Sequence, residues 1–139
     1  MKFTGLRAMV IDDSPTITRA LVRFLEEGVD KKPTGIATEV VLDGLDALPR
    51  ISEFKPDIIF LDVNMKRSDG FQICTLIKSH PRTKHIPVVM VTGKDSIFDK
   101  ARGANAMADG YVPKPFQHEQ VISVVERFAP ERFRSAKPT

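Results

Sequence analysis

The sequence predicts an α/β fold built on a doubly wound, five-stranded parallel sheet. Three observations point to it. Short apolar runs alternate with stretches of helical periodicity along the chain. The runs, such as Ile58-Ile59-Phe60-Leu61, are apolar throughout rather than alternating, as strands covered on both faces are. The length of 139 residues, 42% of them hydrophobic, suits one compact domain with a real core.

The elements follow in order. Ala8-Met9-Val10-Ile11 reads as a buried strand. Pro15 to Glu27 reads as a helix, with Ile17, Ala20, Leu21, Phe24 and Leu25 at helical spacing, Ser14 as N-cap, Pro15 at the first position and Gly28 as the stop. Ile36 to Val41 is a second strand. Leu45 to Phe54 is a weak helix, because Pro49 inside it would kink or shorten it. Ile58 to Leu61 is the clearest strand, and Phe71 to Ser79 a helix with Ile73, Leu76 and Ile77 on one face. Val88 to Val91 is a strand, Ser96 to about Asn105 a helix, and Tyr111-Val112 a short strand. Gln117 to Phe128 is a helix with the core stripe Val121, Val124, Val125 and Phe128. A βα unit repeated five times closes most naturally in the flavodoxin-like order 2-1-3-4-5. The domain is expected over residues 1–128, with a C-terminal tail over 129–139 that is expected to be frayed and polar from Pro130 to Thr139.

Composition excludes several classes. The apolar runs are too short to span a membrane, and Met1 to Arg7 has no apolar leader core. A single cysteine, Cys74, allows no internal disulfide and no cysteine metal cluster. These features suit the cytoplasm. The net charge of +3 is scattered rather than gathered into a stripe, so direct nucleic-acid binding is not expected. His80, His85 and His118 lack metal-ligand spacing and read as surface histidines, and Cys74 as a small helix residue rather than a nucleophile.

In a parallel sheet of this kind, ligands sit beyond the carboxyl ends of the strands. Those positions hold Asp12 and Asp13 after the first strand, Asp62 after the third, Thr92 after the fourth, and Lys114 with Pro115 after the fifth. Each alone has an ordinary reading as turn former, helix cap or solvated lysine. Together they place three carboxylates, a hydroxyl and an ammonium at one edge. Clustered carboxylates repel one another, and a divalent cation with hard oxygen ligands, Mg²⁺ above all, relieves the repulsion. A cation, a lysine and a hydroxyl also suit the oxygens of a phosphoryl group, with Asp62 as nucleophile.

The motifs Val10-Ile11-Asp12-Asp13-Ser14, Phe60-Leu61-Asp62-Val63-Asn64-Met65, Val91-Thr92-Gly93 and Lys114-Pro115-Phe116 resemble the receiver-domain signature of two-component response regulators, over Leu6 to Phe128. Lys94 to Ala101 is further similar to single-domain receivers of type IV pilus twitching motility. The resemblance implies that Asp62 accepts a phosphoryl group from a histidine kinase or phosphotransfer protein. It implies Mg²⁺ held by Asp13, Asp62 and the backbone carbonyl of Asn64, with Asp12 acting through water. Lys114 would pair with phosphoryl oxygens across a cis Lys114–Pro115 bond. Thr92 and Tyr111 would form the switch, and Asn64 and Lys94 would tune hydrolysis. The chain would then be no enzyme in the ordinary sense, assisting only its own phosphorylation and dephosphorylation, and its output would be contact with a downstream target protein.

Several residues depart from the family pattern. Lys66 stands where proline is usual, Met107 where glycine is usual, so that the preceding helix is expected to end at Gly103, and Asp30 to Gly35 lengthens one connection. Two other readings compete. One is the receiver module of a longer DNA-binding or enzymatic regulator. The other is a phosphohydrolase with an aspartyl-phosphate intermediate, which needs a second acid where Asn64 stands.

Overall fold

The structure, a computed structural model, is described over residues 1–93, 101 and 106–133. Strands β1 (Arg7–Ile11), β2 (Ala37–Val41), β3 (Ile58–Asp62), β4 (Val88–Thr92) and β5 (Gly110–Pro113) form one sheet. Their order is β2-β1-β3-β4-β5, as the sequence predicts, and every pairing is parallel. Helices α1 (Pro15–Glu26), α2 (Ala47–Phe54) and α3 (Gly70–Ser79) and a C-terminal helix (His118–Phe128) cover it.

Side-chain parity sorts the residues into two layers. Met9, Ile11, Ile59, Leu61, Val88 and Met90 join Ile51 of α2 and Phe71, Cys74 and Ile77 of α3. Their strand neighbours Ala8, Val10, Ile58, Phe60, Val89 and Val91 join Leu21 and Leu25 of α1 and Val121 and Val125 of the C-terminal helix. A slip of one residue in any strand would exchange the layers, so the register is tightly specified. Every residue of β3 and β4 is buried, which is why those runs show no polar alternation.

The local differences from expectation have simple causes. Pro49 does not kink a helix. A 3₁₀ turn, Gly44–Asp46, precedes α2, and Pro49 then falls in the first helical turn, where its missing N–H has no intrahelical partner to lose. Gly28 is not the stop of α1, because Glu27 is already extended. The long connection instead folds back, with Gly28 donating to the Lys32 carbonyl at 2.7 Å and Thr34 N–H to the Glu26 carbonyl at 3.0 Å. Leu76 is 53% exposed rather than in the α3 core face, since it lies roughly 100° around the helix from Ile77. Met107 adopts a φ of 64°, the left-handed conformation that favours glycine. Gly103 and the helix expected over Ser96–Asn105 lie outside the described residues, apart from Ala101.

His118 is not a plain surface histidine. Its Nε2 lies 3.0 Å from the Phe24 carbonyl and 2.6 Å from the Glu27 carbonyl, at the end of α1. Its ring stacks on Phe24 at 4.5 Å. The imidazole thus donates to carbonyls that the helix end leaves without partners, and ties α1 to the C-terminal helix. His80 and His85 are exposed, as expected. The ordered chain also continues past Phe128. Ala129 is buried, Phe133 packs on the core, and Arg132 pairs with Asp57 at 3.0 Å, so Pro130–Phe133 is not frayed.

His118→Ala removes one hydrogen-bonded cap and one ring stack. It is expected to lower unfolding stability by about 1–2 kcal/mol, read as a lower urea midpoint with an unchanged slope.

Candidate functional site

The parallel sheet brings the predicted residues to one edge. Asp12 and Asp13 follow β1, Asp62 ends β3, Thr92 ends β4, and Lys114 follows β5. One carboxylate oxygen each of Asp12, Asp13 and Asp62 lies within 4.8 Å of the others. Asp12 is 1% exposed and Asp62 3%.

The backbone sets the orientation of each carboxylate. Asp12 Oδ1 accepts from Ser14 N–H at 2.9 Å, while the Ser14 hydroxyl accepts from Ile17 N–H and caps α1. Asp62 Oδ1 accepts from Lys114 Nζ at 2.8 Å and from Asn64 N–H at 3.4 Å. Asp13 Oδ2 accepts from Lys66 N–H at 2.7 Å. A proline at position 66, usual in the family that the motifs resemble, has no such N–H to give. Gly70, the first residue of α3, packs on the Asp62 carbonyl so closely that a Cβ there would collide with it. Lys114 is placed by its own N–H, which donates to the Thr92 carbonyl at 2.7 Å, and the Lys114–Pro115 bond is cis.

The charges do not cancel. Lys114 Nζ also lies 3.5 Å from Asp12 Oδ2, so one ammonium serves two carboxylates in a cluster of three. Burial, and then the Asp62 charge, push the Asp12 carboxyl above its ordinary range, against the opposing pull of Ser14 N–H and Lys114. Burial works against the Lys114 ammonium, but the hydrogen bond to Asp62 and the nearby Asp12 outweigh it and raise its pKa. Asp12 Oδ2 is buried with no hydrogen-bond partner. A buried oxygen whose nearest described donor, Lys114, is 3.5 Å away and shared with Asp62, amid hard oxygen ligands carrying excess negative charge, fits a divalent cation of the Mg²⁺ type.

Thr92 is buried beside this cluster. Tyr111 pairs in register with Met90 and packs in the α2/α3 layer, which places it on the same face as Thr92 and one step diagonal to it. Asn64 is exposed in the loop after Asp62. Lys94 lies outside the described residues. Cys74 is fully buried, and burial pushes its thiol up to about 11, which removes it as a nucleophile. Sequence reasoning missed three backbone features: the N–H groups of Ser14 and Lys66 and the close approach at Gly70. The absent proline at position 66 was the one visible trace of the second.

Comparison with known proteins agrees with this geometry. Residues 8–126 match the family described as response regulator receiver domain. Protein PilG of Pseudomonas aeruginosa is 41% identical over 126 residues, covering 91% of this chain and 89% of PilG. Response regulator MprA of Mycobacterium avium is 33% identical over 118 residues, covering 85% of this chain but 48% of MprA. The chemotaxis response regulator CheY4 of Vibrio cholerae has a similar structure, with a TM-score of 0.79 and 28% identity, over 90% of this chain and 99% of that one.

Two measurements test the site's electrostatics. Asp12→Asn removes a carboxylate whose folded-state pKa is raised, so the variant is expected to be more stable than the wild type in metal-free buffer at neutral pH. The gain should be absent below the ordinary carboxyl pKa, where Asp12 is protonated folded or unfolded, and should grow as pH rises through the raised value. Urea unfolding in metal-free buffer across that range is the check. Lys66→Pro deletes the N–H that orients Asp13 and should weaken Mg²⁺ binding by about fivefold, roughly 1 kcal/mol for a charge-assisted hydrogen bond at a partly exposed site. Lys66→Ala keeps the N–H and should leave the calorimetric affinity unchanged.

Proposed function

Because the chain belongs to the response regulator receiver domain family, we propose that it is a phosphorelay switch of two-component signalling, with Asp62 as phosphoryl acceptor. The observation that carries this reading is the pairing of buried Asp62 Oδ1 with Lys114 at 2.8 Å, next to Asp12 and Asp13. Lys114 and the Asn64 N–H take Oδ1, so Oδ2 is the Asp62 oxygen without a hydrogen bond among the described residues. In this reading Oδ2 attacks the phosphorus of a donor phosphohistidine. The new P–O bond forms as the P–N bond breaks, and the imidazole nitrogen leaves with the electron pair and takes a proton from solvent.

Asp13 and Asp62, with the Asn64 carbonyl, would hold Mg²⁺ directly, and Asp12 through water. When bound, that ion supplies neutralising charge to the phosphoryl oxygens. Lys114 turns from the carboxylate to a phosphoryl oxygen. The Thr92 hydroxyl reaches the same group, and Tyr111, diagonal to it, fills the space behind. Their two positions bias a protein-contact surface that includes the C-terminal helix. Asn64 and Lys94 flank the path of the hydrolytic water and set the lifetime of the acyl phosphate.

The reading makes the chain a signalling protein rather than a catalyst acting on other molecules. Its partners are a histidine kinase or phosphotransfer protein upstream and a target protein downstream, without direct nucleic-acid contact. No described helix is long and apolar enough to cross a membrane. We place the chain in the cytoplasm, in a motility pathway of the kind that the twitching-type receivers serve.

Incubation with ³²P-labelled acetyl phosphate or a labelled histidine kinase tests the assignment. Wild-type protein should label in Mg²⁺ and lose the label in excess EDTA. Asp62→Asn and Asp13→Ala should stay unlabelled. Labelling of Asp62→Asn at the wild-type level would place the acceptor elsewhere.

A further inference from the structure

A second surface lies at the opposite end of the sheet. Lys55, Pro56 and Asp57 precede β3, and Ile86 precedes β4. Between them α2 and α3 enclose an open groove of about 850 Å³. On α2 its wall is Leu48, Ile51 and Ser52, an i, i+3, i+4 set on one helical face, and Lys55, the left-handed residue that ends the helix, continues it. Leu76 of α3 and His80, the extended residue just past the helix end, supply the opposite wall. Ile51 and Ile86 close the floor from the core.

This groove is unlike the rest of the surface in two ways. Seven large hydrophobic side chains stand exposed among the described residues, and two of them, Leu48 and Leu76, line the groove from different helices. Leu45, a third, lies one turn before Leu48 and extends the α2 stripe. The groove's charge is also one-sided. Lys55 and Arg82 on the rim have no ion pair among the described residues. The one carboxylate in the wall, Asp57, is already engaged by the Arg132 side chain at 3.0 Å and the Arg7 N–H at 2.8 Å. His80 Nδ1 accepts from Arg82 N–H at 3.1 Å, so its proton sits on Nε2, a further donor on the same rim.

We propose that the α2/α3 groove docks an acidic amphipathic helix of a partner protein, and that it does so whatever the state of Asp62. An aliphatic trough between two helices takes the apolar face of a helix laid along it, and uncancelled cations on the rim select carboxylates on that helix's flanks. A second copy of this chain fits poorly, because a two-fold contact here would set Lys55 and Arg82 against their own kind. Nucleic acid would need a stripe of cations along its phosphates, and the groove offers Lys55 and Arg82 on either side of an apolar floor. A bilayer offers a flat face to a concave site.

The test is an amide NMR titration of the full chain with a synthetic amphipathic helix, leucines on one face and glutamates on the other. Shifts should gather at Leu48–Lys55 and Leu76–Ile86, with the same affinity in the apo protein and in its Mg²⁺–beryllofluoride form. Replacing the peptide's glutamates by glutamines should weaken binding severalfold. Arg82→Glu and Lys55→Glu should each weaken it by about tenfold, as reversal of one close charge pair does. Leu76→Ser, at an exposed position that the fold does not need, should weaken it as well. Shifts centred elsewhere, equal binding of the glutamine peptide, or loss of binding on adding beryllofluoride would overturn the proposal. So would stronger shifts at the same residues from anionic phospholipid vesicles or duplex DNA.

Discussion

Negative charge that the described residues do not cancel is the constraint around which the fold is arranged. Parallel strands end on the same side, so β1 and β3 deliver Asp12, Asp13 and Asp62 to one edge. Lys114 reaches two of the three. Burial raises the Asp12 pKa, and Oδ2 has no close hydrogen bond among the described residues, a cost that packing elsewhere must cover. A site optimised for stability alone would not hold this arrangement. A site that must draw a cation and then a phosphoryl group out of water needs it, because the stored repulsion is relieved only when positive charge arrives.

The same arrangement makes the site stiff where the chemistry occurs and responsive beside it. Gly70 lets α3 rest directly on the Asp62 carbonyl, and Val63 N–H donates to the Val91 carbonyl at 3.1 Å, so the main chain at the acceptor has little room to move. Lys114 is tied to β4 through the Thr92 carbonyl. In the proposed mechanism, a lysine that leaves Asp62 for a phosphoryl oxygen would therefore pull on a strand end whose own side chain is Thr92. Tyr111 is half-buried on the edge strand, whereas the residues of β3 and β4 are all buried.

How much of this was legible in the sequence depends on which atoms carry the information. Strand order, layers and the acidic edge are side-chain patterns, and apolar runs such as Ile58–Leu61 with Asp62 at their end display them directly. Helix ends were less legible. Pro49 looked like a kink because the 3₁₀ turn that moves it into the first helical turn leaves no composition signal. Leu76 looked like core because a helix made apolar on three sides does not say which side faces the sheet. His118 looked like surface because its partners, the carbonyls of Phe24 and Glu27, are more than ninety residues away and are main-chain atoms. Lys66 and Ser14 act through N–H groups that every non-proline residue possesses, so only position reveals them.

The two ends of the sheet can serve separate tasks because of what lies between them. Ile51 and Ile86, which floor the groove, belong to the layer that also holds Tyr111, so a path from the switch to the groove exists through packed side chains. That path crosses β3 and β4, whose residues are all buried and close-packed. The proposed movement of the Tyr111 ring would be absorbed at the edge strand, where the residue is only half-buried, at lower cost than by displacing the centre of the sheet. In the proposed switch, a rigid core would confine the response to the face where β5 and the C-terminal helix lie, and leave the α2/α3 end constant. A receiver built this way can stay on one partner while its phosphorylation state is read by another.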